Sequence, residues 1–100
     1  MSEAVILRFV GIGQREYEAV NREVGIDMAT AKGDWPEGLQ MHSAGTADDG
    51  AFVVTEVWSS REAQARFMEA RLGAALAAGG VTAPPAVTWI RLLAYHTLGT

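Results

Sequence analysis

The hydrophobic pattern opens with two well-defined segments. Residues Ala4 to Val10 are apolar with the exception of Arg8, which is typical of a strand that is buried on both faces. From Gln14 to Val24 the apolar residues recur every three or four positions, which predicts an amphipathic helix. Its predicted buried stripe consists of Tyr17, Val20 and Val24.

The middle of the chain predicts a β-hairpin. Two strand-like runs, Leu39 to Gly45 and Ala51 to Trp58, flank a turn that ends in an Asp-Gly pair, which favours tight hairpin turns. Side chains alternate between the two faces of a strand, so a symmetric hairpin places His42 and Glu56 on the same face. The sequence leaves open whether that face lies under the helices or at a subunit interface.

The second half of the chain predicts another helix and a closing strand. Ser59 and Glu62 have the spacing of a capping box, which predicts a helix that runs to about Ala78. Its predicted buried stripe consists of Ala65, Met68, Leu72, Ala75 and Leu76, with Phe67 beside it. Val87 to His96 is predicted to be the last strand. A short helical turn, capped by the aspartate, is expected over 27–31.

The order of elements, strand-helix-strand-strand-helix-strand, predicts a ferredoxin-like α+β fold. It has a four-stranded antiparallel sheet with two helices on one face, and residues 1–100 are expected to form a single domain. The first and last strands carry large apolar residues on both of their faces. The sheet face without helices would therefore expose apolar surface in a monomer. Two such faces pack together in a closed dimer, and we therefore expect a homodimer.

Composition and charge narrow the classes of function. Apolar residues make up 49% of the chain and charged residues 20%, which is typical of a globular protein. The net charge of −4, without a basic cluster, argues against nucleic-acid binding. The lack of cysteine excludes disulfides, thiolate catalysis and cysteine-ligated metal centres. Neither a signal peptide nor an apolar run of roughly 20 residues is visible, so we expect a cytoplasmic protein without a membrane partner.

Three features resemble the dimeric α+β barrel superfamily, in particular small proteins similar to antibiotic-biosynthesis monooxygenases. They are the order of elements, the stretch GLQMHSAGTADDGAFVVTEVWSSREAQARFMEARL, and the closing strand with its aromatic residues and histidine. The superfamily includes cofactor-independent oxygenases of aromatic polyketides, polyketide cyclases, lactone isomerases, heme-degrading enzymes and proteins without known chemistry. The resemblance implies a pocket between sheet and helices, and a role in secondary metabolism without a bound cofactor. Heme-degrading members carry an Asn in the first strand and a His late in the second helix, and this chain has neither.

His42 and Glu56 are the candidate catalytic residues. An imidazole exchanges protons near neutral pH, so histidine is the commonest general acid or base. A carboxylate that lies across the hairpin and one step along, roughly 5–8 Å away, could orient the ring. Such a pair could take a proton from a phenol or from a carbon next to a carbonyl. The alternative is a strand histidine that is bonded to a neighbour for structural reasons.

Five further residues are predicted to bind substrate, namely Tyr17, Trp35, Trp58, Trp89 and Arg91. The tryptophans could form flat walls for an aromatic ligand or fill a small core, and Trp35 could act as a lid. Arg91 could bind a substrate oxygen anion or pair with an acidic side chain across the dimer. Tyr17 could point its hydroxyl into the pocket or pack as core. The two histidines are far apart in sequence, so no metal site is predicted.

Two classes of function remain open from the sequence. The first is an enzyme that acts on an aromatic or polyketide-like metabolite by acid/base chemistry without a bound cofactor, as a monooxygenase or as a cyclase or isomerase. The second is a non-catalytic dimeric module that binds a hydrophobic small molecule or a partner protein. A closed cavity that reaches His42 would favour the enzyme.

Overall fold

The sheet at the centre of the molecule has four antiparallel strands. The computed structural model describes residues 2–27 and 29–98. In chain order the elements are β1 (Glu3–Phe9), α1 (Gln14–Val24), β2 (Ile26–Asp27), β3 (Lys32–Gly33), β4 (Leu39–Thr46), β5 (Phe52–Trp58), α2 (Arg61–Phe67), a π-helical turn (Met68–Leu72), α3 (Gly73–Ala78) and β6 (Ala86–Arg91). The strands are arranged β4-β5-β1-β6, and β2 pairs only with β3. This is the predicted ferredoxin-like arrangement, and the predicted fold class is confirmed.

The helices cover one face of the sheet and form the core with it. Within β1 and β5, Val5 lies opposite Glu56 and Leu7 lies opposite Val54, so these side chains share a face. The core on that face includes Val5, Leu7, Phe9, Phe52, Val54 and Trp58 from the sheet and Val20, Val24, Ala63 and Ala75 from the helices. Glu56 therefore faces the helices, on the buried side of the sheet.

The predicted hairpin forms between β4 and β5. His42 and Glu56 share a face, as predicted, but they lie directly opposite each other and not one step apart along the strands. The turn relies on Gly50, whose φ of +93° lies in the region that favours glycine, and on the Asp49 side chain, which accepts a 3.1 Å hydrogen bond from the Ala51 amide. An irregular register near the start of β4 turns Leu39 toward the helices.

Helix α1 has the predicted bounds. At its start, the Glu16 carboxylate accepts a 2.8 Å hydrogen bond from the backbone N–H of Gly13. It ends at Gly25, whose φ of +95° is the left-handed conformation that closes many helices. Val20 and Val24 are buried and Tyr17 is half-buried, so the predicted stripe faces the sheet.

The second helical segment differs from the prediction in its start and its regularity. Ser60 caps α2 by accepting a 3.1 Å hydrogen bond from the Ala63 amide. Ser59, the predicted cap, lies one residue before this cap, and its N–H donates to the carbonyl oxygen of Gly38 at 2.8 Å. The π-helical turn adds a residue to one turn and rotates the faces that follow it. Ala65, predicted to be buried, is exposed.

Two other predicted elements are wrong in their form or extent. In place of a helical turn over 27–31, Ile26 pairs with Gly33 and the Asp27 side chain accepts a 2.9 Å hydrogen bond from the Ala29 amide, which closes a ribbon turn. Met28, within that segment, lies outside the described residues. The last strand ends at Arg91 and does not reach His96, because its partner in β1 begins at the residue opposite Arg91.

None of the helices in the described part of the chain combines the length and the apolar character that a membrane crossing requires.

Candidate functional site

A narrow cavity lies between the helices and the covered face of the sheet. The cavity itself has a volume of about 70 Å³. The empty space around it, including its entrance that is open to solvent, is about 640 Å³. Its wall is mostly apolar and includes Phe9, Ile12, Leu39, Phe52, Val54 and Phe67. Four polar side chains also reach it, namely Tyr17, Asn21, His42 and Glu56. A concave apolar wall with a few convergent polar groups is the usual form of a small-molecule site.

A chain of hydrogen bonds joins four side chains beside this cavity. The Trp58 indole N–H donates to Oε1 of Glu56 at 2.9 Å. Nδ1 of His42 lies 2.7 Å from Oε2 of Glu56. Nε2 of His42 lies 2.5 Å from the hydroxyl oxygen of Tyr17. The chain therefore runs from the fully buried Trp58 through the carboxylate and the imidazole to a phenol at the cavity wall.

The two bonds of His42 determine which nitrogen carries the proton when the ring is neutral. A carboxylate only accepts hydrogen bonds, so Nδ1–H donates to Glu56. Nε2 is then an acceptor, and the Tyr17 hydroxyl donates to it. An imidazole in this state can take a proton at Nε2 while the carboxylate behind it stabilises the positive charge that develops, as in hydrolase triads.

Glu56 is held in place from both sides. Its residue is only 7% exposed, and each carboxylate oxygen accepts one hydrogen bond from a ring N–H. A buried carboxylate without such partners would be strongly destabilising. Trp58 therefore positions the Glu56 carboxylate from the core side, because its N–H bonds to Oε1, the oxygen that is not bonded to His42.

Tyr17 lies where helix α1 meets the sheet. Its ring packs against Phe52 at a centroid distance of 5.1 Å and lies nearly parallel to His42, at 5.9 Å with an interplanar angle of 6°. Burial raises the pKa of Tyr17, a side-chain hydrogen bond with Asn21 opposes this shift, and the charge of Glu56 adds to it. The phenol is therefore held in its neutral, proton-donating form.

Trp35 closes one side of the cavity from an irregular segment. Its ring lies 5.7 Å from that of His42, and its N–H donates to the carbonyl oxygen of Ala31 at 2.8 Å. Arg71, in the π-helical turn, donates to the carbonyl oxygens of Val24 at 2.8 Å and Asp34 at 2.5 Å. The end of α1 and the segment that carries Trp35 are thus fastened to the second helical segment.

The structure brings five of the seven predicted site residues together and leaves two outside. His42, Glu56, Tyr17 and Trp35 line the cavity, and Trp58 supports Glu56 from the core. Trp89 lies on the same sheet face, where the Arg61 guanidinium covers its ring at 5.0 Å, and it is outside the lining. Arg91 is exposed at the end of β6 and also lies outside the lining.

Asn21 is a cavity residue that was not predicted. It occupies the position one turn after Tyr17, beside the predicted buried stripe of α1, and it is 8% exposed. An asparagine on an otherwise apolar helix face is the signal that could have identified it, because buried amides need hydrogen-bond partners.

Within residues 2–27 and 29–98, no three His, Asp or Glu side chains converge as metal ligands would.

Comparisons with known proteins bear on the fold. No protein-family model matches the sequence, and no curated protein shows significant similarity to it. Three solved structures are similar over nearly the full chain. Rv0793 from Mycobacterium tuberculosis is 23% identical with a TM-score of 0.68, and the match covers 97% of this chain and 100% of that one.

The other two structures are comparable. A protein from Chloroflexus aurantiacus J-10-fl, provisionally named an antibiotic biosynthesis monooxygenase, is 20% identical with a TM-score of 0.65 and coverage of 99% and 100%. NE2512, a protein of unknown function from Nitrosomonas europaea, is 16% identical with a TM-score of 0.61 and coverage of 99% and 96%. At these identities the similarity concerns the fold alone. The resemblance to small proteins like the antibiotic-biosynthesis monooxygenases is confirmed at that level.

Proposed function

We propose that this protein is a small-molecule enzyme of secondary metabolism that acts on an aromatic or polyketide-like metabolite by acid/base chemistry without a bound cofactor. The observation that carries the proposal is the Glu56–His42–Tyr17 hydrogen-bond chain, which ends at the wall of an apolar cavity. The fold similarity to a protein provisionally named an antibiotic biosynthesis monooxygenase agrees with it.

The proton path follows from the order of the bonds. A hydrogen on a carbon next to a carbonyl, or on a phenol, moves to the Tyr17 oxygen while the hydroxyl proton of Tyr17 moves to Nε2 of His42. Concerted transfer avoids a free phenolate, which the burial of Tyr17 disfavours. Glu56 stabilises the imidazolium through Nδ1–H, and the substrate is left as an enolate or phenolate. General acid/base catalysis of this kind contributes roughly 10²- to 10⁴-fold in rate.

The fate of the substrate anion separates the possible reaction types. An enolate that is reprotonated elsewhere or attacks a carbonyl within the same molecule gives isomerisation or cyclisation. An electron-rich anion that reacts with molecular oxygen gives oxygenation, with oxygen as the oxidant. All three routes share the deprotonation step, so that step is the one to test.

The experiment is deuterium uptake by an aromatic ketone in D₂O. 1-Tetralone is a suitable probe because it carries exchangeable hydrogens next to its carbonyl and an aromatic ring for the apolar wall. We expect the protein to catalyse the exchange, measured by proton NMR, and His42→Gln to lower the catalysed rate by about 100-fold.

The control is His96→Gln, which makes the same substitution at the exposed histidine after β6. Its exchange rate should equal that of the wild type. Circular dichroism and thermal unfolding establish that both variants are folded. Equal rates for the wild type and a folded His42→Gln would refute the role of His42.

The second candidate function is a non-catalytic module that binds a hydrophobic small molecule. It is favoured by the fact that both ring nitrogens of His42 are already bonded to protein side chains. A buried, fully bonded polar network of this type can make the core rigid and specify a single packing arrangement. The same assay separates the two functions, since a module would bind 1-tetralone, seen as a rise in Tm, without accelerating exchange.

A further inference from the structure

The cavity is smaller than the aromatic ligand that the proposed function requires. Its volume is about 70 Å³. An apolar cavity of about 150 Å³ in another protein holds a single benzene ring. A molecule with two fused rings, such as 1-tetralone, therefore enters this site only if part of the wall moves.

Trp35 is the part of the wall that can move with the least disturbance of the core. It is 37% exposed, whereas the other residues that line the cavity are buried or half-buried. It belongs to the Trp35 segment, residues 34–38, which is neither helix nor strand. The centroid of its ring lies 5.7 Å from that of His42. An outward movement of this ring would therefore open the cavity beside the proposed proton acceptor.

Arg71 holds the start of the Trp35 segment. Its Nη2 donates to the carbonyl oxygens of Val24 at 2.8 Å and Asp34 at 2.5 Å. The Asp34 carbonyl belongs to the planar peptide group that precedes Trp35, so this bond fixes the direction in which Trp35 leaves the chain. The Arg71 guanidinium also lies 5.2 Å from the ring centroid of Phe67, which lines the cavity.

The other contacts of the segment direct its movement to the Asp34 end. At the far end, the carbonyl oxygen of Gly38 accepts a 2.8 Å hydrogen bond from the Ser59 amide. At the near end, the Asp34 N–H donates to the carbonyl oxygen of Gly25 at 3.1 Å. That bond lies before the Cα atom of Asp34, so the peptide group after it can rotate while the bond persists. The bond from Arg71 is the one that opposes this rotation.

We infer that Arg71 is a specificity-determining residue, which keeps Trp35 over the cavity until its bond to Asp34 breaks. The inference rests on the proposed function in one respect, namely that the cavity is the ligand site. A ring system larger than the cavity binds only to the protein in which that bond is broken, so its apparent affinity is reduced by the small population of this open form. A molecule that fits the closed cavity is not affected.

Arg71→Met should make the protein less stable and strengthen its binding of 1-tetralone. Methionine keeps an apolar chain and a favourable contact with Phe67 but has no N–H donor. Tm should fall by roughly 4–8 °C, the value of about one hydrogen bond. The Kd of 1-tetralone, measured by equilibrium dialysis and ultraviolet absorbance, should fall about tenfold because more of the protein is open. An arginine with a structural role alone would lower Tm and leave the Kd unchanged or raise it.

Three further variants define the effect. Arg66→Met is the matched control, since Arg66 is exposed in the same helical segment, and it should change neither Tm nor Kd. In a Trp35→Ala background no ring has to be displaced, so adding Arg71→Met should leave the Kd unchanged. Arg71→Lys serves should the methionine variant fail to fold. Its shorter side chain holds the Asp34 carbonyl less well, so the Kd should fall by a smaller factor.

A Kd that Arg71→Met leaves unchanged or raises would overturn the inference. So would a tenfold fall that persists in the Trp35→Ala background, or a lack of 1-tetralone binding by the wild type and all variants. Tighter binding by Arg71→Met in a protein that does not catalyse deuterium exchange would support the inference while rejecting the proposed enzyme. Catalysed exchange without any effect of Arg71→Met on binding would reject the inference alone.

Discussion

Tyr17 reports directly on the electrostatic environment of the site, because the pKa of its phenol can be measured. Its phenol is half-buried and lies near the Glu56 carboxylate, and burial followed by that charge raises its pKa. An unfolded chain would ionise the same residue at the ordinary value of about 10. The difference between the two states links stability to pH.

The sign of this link is fixed by the direction of the shift. As the pH rises past about 10, the unfolded chain loses the Tyr17 proton first, which favours unfolding. The stabilisation is complete below that pH and is lost as the pH rises through the pKa of the folded protein. We expect a difference titration of the tyrosinate absorbance, wild type minus Tyr17→Phe, to have its midpoint above 10. A midpoint at or below 10 would contradict the burial of this phenol.

The positions of individual side chains could be predicted only where they depend on neighbouring residues in the sequence. The facing of His42 and Glu56 follows from the alternation of side chains and the Asp-Gly turn, both readable in the sequence. The bond between His42 and Tyr17 joins a strand to a helix 25 residues away, and it depends on how α1 lies across the sheet. Periodicity places Tyr17 on the inner face and says nothing about the atom that it contacts.

At the scale of elements, α1 carries both Tyr17 and Asn21, so its position over the sheet determines the site. Gly79, just after α3, allows the second helical segment to approach α1 closely. A Cβ atom at Gly79 would lie 2.5 Å from a methyl carbon of Val20 and 3.0 Å from its backbone nitrogen. Val20 lies between the two site residues in sequence, and its stiff side chain has little freedom to move aside.

Gly79→Ala should therefore destabilise the protein. The backbone at Gly79 has φ −82°, which alanine adopts without strain, so the expected cost of about 1–3 kcal/mol comes from overpacking alone. Chemical unfolding measures it. Gly45→Ala is the control, since a Cβ there meets nothing within 4 Å, and its effect should stay within about 0.5 kcal/mol. Equal effects of the two substitutions would contradict the close helix contact.

The errors in the predicted element bounds have a common physical cause, which is contact with segments that are distant in sequence. Ser59 and Ser60 are equally good caps, and the choice between them depends on a tertiary hydrogen bond from Ser59 to Gly38. The last strand is shorter than its apolar run because β1 supplies no partner beyond Arg91. The bounds of α1 were correct because a left-handed glycine ends it locally. Local signals sufficed wherever no distant segment intervened.

At the scale of the whole molecule, the sheet face away from the helices exposes apolar side chains. Ile90 lies on that face and is 41% exposed. The chain after β6 crosses toward the opposite edge of the sheet, where the Tyr95 hydroxyl lies 3.5 Å from the carbonyl oxygen of Gln40. Leu93 and Leu98 of that segment are highly exposed, at 104% and 87%. Apolar surface of this extent favours association through the uncovered face.

We expect the protein to be a homodimer with the uncovered faces together. Light scattering coupled to size exclusion should give twice the mass of one chain. Ile90→Glu should yield monomers, because the charge would be buried unpaired in the interface. Ala74→Glu, on the exposed side of α3, is the control and should remain dimeric. A wild-type mass of one chain would contradict this assembly.

The proposed catalysis requires the Glu56–His42–Tyr17 chain to provide a proton acceptor at the cavity wall. The catalysed rate of deuterium uptake by 1-tetralone, measured for the wild type and for folded His42→Gln at equal concentration, tests it most directly. We expect a ratio of about 100 between the two rates. A ratio near one, with the wild type active, would contradict it.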